Sequence, residues 1–343
     1  MVGTVLSELG GSKAGRMAAN HIGIPTTTSF STANRACASG LQAITGIANA
    51  IAVGQIDVGI AGGMESMTRN YGSRAIPTQL WDDLKNSPVK EARDCIMNMG
   101  ITSENVAKRY GISRQDQDEF AARSQNLAAK AQESGFFDPE IVPVTTRWVN
   151  PEDPTDVKTI TVTKDDGIRP GTKVEKLATM KPAFSADGAS TAGNSSQVSD
   201  GASAALMMRR STAQELGLTS SIIGKWAGTQ VAGCAPDEMG VGPAVAIPKL
   251  LEYTGISKDD VGIWEINEAF ASQALYCVRK LELDMDKVNP NGGAIALGHP
   301  LGATSGRMLS TLLHELERQD QPLGVLSKCI GTGMGMASLI VRE

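Results

Sequence analysis

Two stretches of the chain, residues 1–69 and about 223–343, alternate strand-like with helix-like segments. That alternation is the tightest restriction on the fold, because it indicates a mainly parallel sheet covered by helices. In the first stretch, Ile56-Asp57-Val58-Gly59-Ile60-Ala61 reads as a buried strand that ends at Gly62-Gly63. In the second, a strand over residues 261–265 precedes a helix from Asn267, and a helix over 304–316 precedes a strand at 324–327. A final strand is expected over 337–341. Each stretch also carries a reactive-looking Cys in a Gly/Ser-rich turn, so the two are similar in plan.

Residues 70–199 are more polar. Ser113 is expected to cap a helix, with acidic Asp116 three residues on. Phe120, Ala121, Ser124, Leu127, Ala128 and Ala131 recur at helical spacing, and Gly135 is the expected stop. Two strand-like runs follow, at 140–145 and 159–162. The reading is therefore an α/β chain of two similar layered halves with mainly parallel sheets, plus a loop domain. The first half is 1–69 with 200–222, the loop domain is 70–199, and the second half is 223–343. A length of 343 residues accords with about two domains.

Composition narrows the function. A net charge of −5 argues against a nucleic-acid-binding surface. No run approaches the ~18 apolar residues of a membrane span. Five cysteines, with no CxxC pair, fit a reducing compartment in which a special Cys is catalytic, and no metal site is read. The start, Met1 to Gly11, lacks a secretory pattern. The end, Val341-Arg342-Glu343, is not an SKL-type address.

Four groups could carry chemistry. Cys37 precedes the helical repeat Leu41, Ile44, Ala48 and Ile51, so it lies at a helix N-terminus, where a thiol pKa is lowered. A buried structural Cys is the competing reading. His299 stands between Gly298 and Pro300 in a glycine-rich loop, an improbable place for core filler. His21 and His314 fall in polar helical surroundings. Cys329 opens Cys329-Ile330-Gly331-Thr332-Gly333, directly after the strand ending near Ser327. Its glycines fit a tight turn better than a dinucleotide loop. Asn267 is either an N-cap or a residue that holds a water donating to an oxyanion.

Together with Gly62 to Met67, Met99 to Val106, Thr191 to Gly201 and Met239 to Ala244, these motifs make the chain resemble the thiolases, most nearly those of the peroxisomal 3-ketoacyl-CoA type. The resemblance runs from about residue 2 to the end and implies a thiolase-like fold. It also implies roles. Cys37 matches the acyl-accepting nucleophile, His299 its base, and Cys329 the residue that moves the α-carbon proton. Asn267 with His299 matches one oxyanion hole, and the N–H groups of Cys37 and Gly331 the other. Ser196 matches a Ser beside the pantetheine arm of coenzyme A. The implied activity is thiolytic cleavage of 3-ketoacyl-CoA to acyl-CoA and acetyl-CoA in β-oxidation, reversible as a Claisen condensation. Coenzyme A is then a co-substrate, no cofactor is tightly bound, the assembly is at least a homodimer, and the compartment is the peroxisome.

The chain departs from the family pattern at Ala36, Ala38 and Ser305-Gly306. Family members also carry a leading segment before the position of Met1. Without it, the first sheet is expected to have fewer strands than the second and to expose apolar side chains, and the protein to be poorly soluble or inactive. Other readings are a decarboxylating condensing enzyme, which pairs its Cys with two His, an acetoacetyl-CoA-specific biosynthetic thiolase, and an inactive thiolase-like protein. A papain-like protease and an NAD-dependent oxidoreductase both lack their signatures.

Overall fold

The computed structural model describes residues 1–150 and 152–343. The first sheet joins β1 (Val2–Gly3), β2 (Thr32–Ala33), β3 (Val58–Ser66) and β6 (Asp200–Met208) in the order β2-β1-β3-β6. β1 runs parallel to β2 and β3, and β6 is antiparallel to β3. The second sheet joins β7 (Gly224–Gly233), β8 (Ile263–Ile266), β9 (Leu323–Ile330) and β10 (Met334–Arg342) in the order β7-β10-β9-β8. β8 and β9 are parallel. β10 is antiparallel to both its neighbours, since the three-residue turn Gly331-Thr332-Gly333 can join β9 only to an antiparallel partner. β4 (Val144–Val149) and β5 (Val157–Val162) form a separate hairpin.

Six long helices position the site: α1 (Ser39–Ala52), α2 (Met99–Tyr110), α3 (Arg114–Glu133), α4 (Gly242–Thr254), α5 (Ala271–Leu281) and α6 (Thr304–Arg318). α1 and α6 form the layer between the two sheets. Leu41 and Ile44 of α1 and Met308, Leu312 and Leu316 of α6 pack against Ala61, Leu326, Ile330 and Met336. α4 and α5 cover the far face of the second sheet through Ile247, Leu250, Val278, Trp264 and Val325.

Several expectations hold in detail. Ser113 and Asp116 form the capping box of α3, and the chain turns away at Gly135, whose φ is 70°. Others need correction. The strand expected at 56–61 begins at Val58 and is buried on one face only, with Ala61 buried and Val58, Ile60 and Met64 exposed on the other. The helix expected from Asn267 begins at Ala271. The Asn267 N–H continues the sheet by donating to the Ser327 carbonyl, and the first free helical N–H, of Ala271, is satisfied by the Asn194 carbonyl. The strand expected to stop near Ser327 runs to Ile330, which puts Cys329 inside β9. The strand expected at 140–145 lies at Val144–Val149. The two sheets have four strands each, so the first does not have fewer; β1 and β2 are two residues long and supply the count.

The halves meet backbone to backbone. A Cβ on Gly63 would collide with the Gly302 carbonyl, and one on Gly302 with the carbonyls of Gly3 and Met64. Glu65, buried beside this junction, accepts from the N–H groups of Val5 (3.0 Å), Leu6 (3.0 Å) and Gly302 (3.1 Å). A methyl group at Gly302 is therefore expected to cost at least about 2–3 kcal/mol, because the backbone of three segments must move. Gly72→Ala, placed where nothing lies within 4 Å, should stay within about 0.5 kcal/mol of the wild type. Chemical denaturation of Gly302→Ala and Gly72→Ala measures both.

Candidate active site

Cys37 stands in a tight turn before α1. Ala36 adopts a φ of 41°, strained for a residue with a Cβ, and the turn is held from three directions. The Ala36 N–H donates to Asn34 Oδ1 (3.0 Å), the Arg35 N–H to Ser39 Oγ (2.9 Å), and Ser39 Oγ–H to the Ala36 carbonyl (2.6 Å). The sulfur is buried, and two backbone N–H groups point at it, that of Gly331 and its own. Gly331 lies across from Ala36, so the β9–β10 turn of the second half closes on the Cys37 turn of the first.

The helix N-terminus leads one to expect a lowered thiol pKa, and here the structure overturns the expectation. Burial pushes the Cys37 thiol up, ahead of the opposing effects of the Lys328 ammonium and the two N–H donors. Cys37 therefore rests as a thiol that needs a base.

The imidazole of His299 is fixed in one tautomer. Its Nδ1 lies 2.8 Å from Thr304 Oγ1, and that hydroxyl gives its proton to the Pro300 carbonyl at 2.8 Å. Thr304 must then accept, so the ring carries its proton on Nδ1 and presents a lone pair at Nε2. Asn267 Nδ2 sits 3.4 Å from Nε2. Burial first, then the Lys328 and Arg307 cations, hold His299 well below the ordinary imidazole range, and the ring is neutral. Asn267 Oδ1 is buried with no hydrogen-bond partner among the described residues. An acceptor in that condition is suited to a small polar partner such as water.

Cys329 is wholly buried against Met239 and Ala269, and burial raises its thiol far above the usual value. It is thus a protonated group on the face of β9 that looks toward the Asn267 loop. Ser196 is half-buried, and its N–H donates to the Ala269 carbonyl (3.0 Å), tying the 191–199 segment to the same loop. Gly331 and Cys329 are brought to Cys37 from the other half, and Asn267 is brought to His299. Among the described residues no cluster of three His, Cys, Asp or Glu could hold a metal.

Reading the sequence alone misses two residues. Thr304 sets the His299 tautomer, and its position at the first turn of α6, five residues after the His, is the available signal. Lys328 interrupts the apolar run of β9 immediately before Cys329, and a lysine in a buried strand is the signal there.

Two layered halves that carry Cys37, His299 and Cys329 define a class. The thiolase N-terminal domain matches residues 1–211 and the thiolase C-terminal domain residues 220–342. The chain belongs to the thiolase family. It is 51% identical over 341 residues to the peroxisomal 3-ketoacyl-CoA thiolase of Yarrowia lipolytica, covering 99% of this chain and 81% of that protein. It is 54% identical over 339 residues to peroxisomal 3-ketoacyl-CoA thiolase B of Rattus norvegicus, covering 98% and 78%. The crystal structure of the dimeric peroxisomal thiolase of Saccharomyces cerevisiae superposes with a TM-score of 0.89 at 48% identity, covering 100% of this chain and 83% of that one.

Thr304→Val keeps the side-chain volume and removes the acceptor for Nδ1–H. The expected result is a fall in kcat of about 10-fold or more, less than the ~10²–10⁴-fold of losing a general base outright, with Thr304→Ser close to wild type. Steady-state thiolysis of the two variants decides this.

Proposed function

We propose that the protein is a 3-ketoacyl-CoA thiolase, an acetyl-CoA C-acyltransferase. The observations that support the proposal are a neutral His299 with its lone pair fixed at Nε2, Cys37 beneath two N–H donors, and a buried Lys328 whose charge is felt by both.

In the proposed reaction His299 Nε2 takes the Cys37 proton as the sulfur attacks the β-carbonyl of 3-ketoacyl-CoA. A thiol is a suitable nucleophile because its conjugate base is soft and only partly solvated when buried. The N–H groups of Cys37 and Gly331 are assigned to one developing oxyanion, and Asn267 with His299 to the other. The bond between the α- and β-carbons breaks. Its electron pair goes to the acetyl-CoA fragment as an enolate, and Cys329 supplies the proton that makes acetyl-CoA. A thiol held far from ionisation at neutral pH is in the right state to donate. The coenzyme A thiol then gives its proton to the Cys329 thiolate and its sulfur takes the acyl group from Cys37, whose departing sulfur recovers its proton from His299. Ser196 is assigned to the wall along the pantetheine arm. The reverse sequence is Claisen condensation. Coenzyme A enters as a co-substrate, and no step calls for a tightly bound cofactor.

We further assign residues 70–199 to a loop domain over the site, with 1–69 plus 200–222 and 223–343 as the two halves. Support comes from β6 returning to the first sheet after that segment. A homodimer in the peroxisome is the assembly and compartment proposed, on the likeness to relatives so named. No helix among the described residues is long and apolar enough to cross a membrane.

The test is loss of the magnesium-enolate absorbance of acetoacetyl-CoA on addition of coenzyme A, together with trapping of radiolabelled acyl groups. Cys37→Ala is expected to lose activity on the order of 10⁴-fold or more and to trap no label. Cys329→Ala is expected to accept label on Cys37 and to fail in turnover. Equal labelling of both cysteines in the wild type, or turnover by Cys37→Ala, would refute the roles.

A further inference from the structure

A lysine occupies the middle of the core beside this site. Lys328 lies in β9 between Leu326 and Ile330 on the face turned toward the central helices, opposite Met336 of β10. Its side chain is fully buried. The ammonium donates to Ser305 Oγ at 3.2 Å, in the first turn of α6. Ser305 in turn lies against Gly40, in the first turn of α1, three residues after Cys37. Lys328 is therefore held where the N-terminal ends of α1 and α6 converge. That is an adverse place for a cation, because both helix dipoles present positive ends there.

A buried ammonium needs a counter-charge or it loses its proton. The charged groups that act on Lys328 are Cys37 ahead of α1, Cys329 in its own strand, and Arg307 on α6; no carboxylate is among them. Arg307 is engaged with Glu265 at 3.3 Å. His299 feels Lys328 as a cation, Glu65 of β3 acts on Cys37, and Tyr71 of the helix Met67–Arg74 feels Cys37. The candidate anions beside Lys328 are thus the two thiolates, and of these Cys37 is the one that must ionise in the reaction.

We propose that Lys328 is a positioning residue for the reacting sulfur: its buried ammonium is the counter-charge against which the Cys37 thiolate forms. Resting on the reading of Cys37 as nucleophile, this adds a residue to the machinery and explains how a thiol that burial disfavours as an anion is made to react. The ammonium supplies no proton and forms no bond. It lowers the energy of the Cys37 thiolate itself, while as a cation it disfavours charging of His299, so its effect is read at the sulfur. Burial brings the Lys328 pKa down to about 8, so the charge is in place at neutral pH and fades as the pH rises through that value.

The experiment is the rate of carbamidomethylation of Cys37 by iodoacetamide, followed by peptide mass spectrometry from pH 6 to 10. Lys328→Met keeps the side chain's length and removes its charge. The expected result is an alkaline shift of at least about one pH unit in the Cys37 profile, seen as alkylation roughly 10-fold slower at pH 7. The thermal midpoint should be unchanged or higher, since a buried cation has been removed. Ser305→Ala, which takes away the ammonium's acceptor with little change of volume, is expected to shift the profile in the same direction by less. If either variant folds as the wild type does and its Cys37 titrates as in the wild type, the proposal is overturned. Failure of the underlying reading is a separate result, continued turnover by Cys37→Ala.

Discussion

The junction between the halves is the constraint on which the rest depends. Gly63 and Gly302 let two backbones approach to a distance that any side chain would forbid. Glu65 then fixes the approach, since its carboxylate takes N–H groups from the loop after β1 and from Gly302 together. Gly302 is three residues from His299. The contact that joins the halves therefore lies on the loop that carries His299. Small residues at the seam and a buried acceptor beside it do what side-chain packing does elsewhere in the core, and they do it with less freedom to relax.

Burial governs the chemistry of the site more than any one partner does. It holds His299 neutral and keeps Cys329 protonated, and it raises the Cys37 thiol as well. The first two effects suit the proposed base and acid. The third opposes the proposed nucleophile, so the proposed reaction needs compensating groups near the sulfur. The N–H groups of Gly331 and Cys37 and the Lys328 ammonium are those groups. A low dielectric strengthens each of them, because a charge that water does not screen is felt across the whole site.

Much of the fold was legible along the chain. The capping box at Ser113 and Asp116 is a local device, and local devices survive folding. The α1 and α6 stripes were visible because helical spacing writes the buried face into the sequence. The misreadings came where long-range partners decided the outcome. Asn267 resembles an N-cap, yet its N–H is taken by Ser327 of a distant strand and the helix waits for Ala271. Ile60 looks like core, yet its face of β3 is uncovered among the described residues while Ala61 on the other face is buried.

The sequence by itself determined the identities that matter: a Cys before a helix, a His between Gly and Pro, a second Cys before a glycine turn, and the alternation that builds two layered halves. These are properties of residue type and short spacing, and they survive in any environment. The tertiary structure decided their states. Which nitrogen of His299 is free depends on the hydroxyl of Thr304 and on the carbonyl of Pro300 to which that hydroxyl is committed. Whether Cys37 is a thiol or a thiolate depends on how much water its surroundings exclude and on a lysine nearly 300 residues away in the chain. Protonation and tautomer follow from the local dielectric and from nearby donors and charges, and only folding brings those to the same point in space.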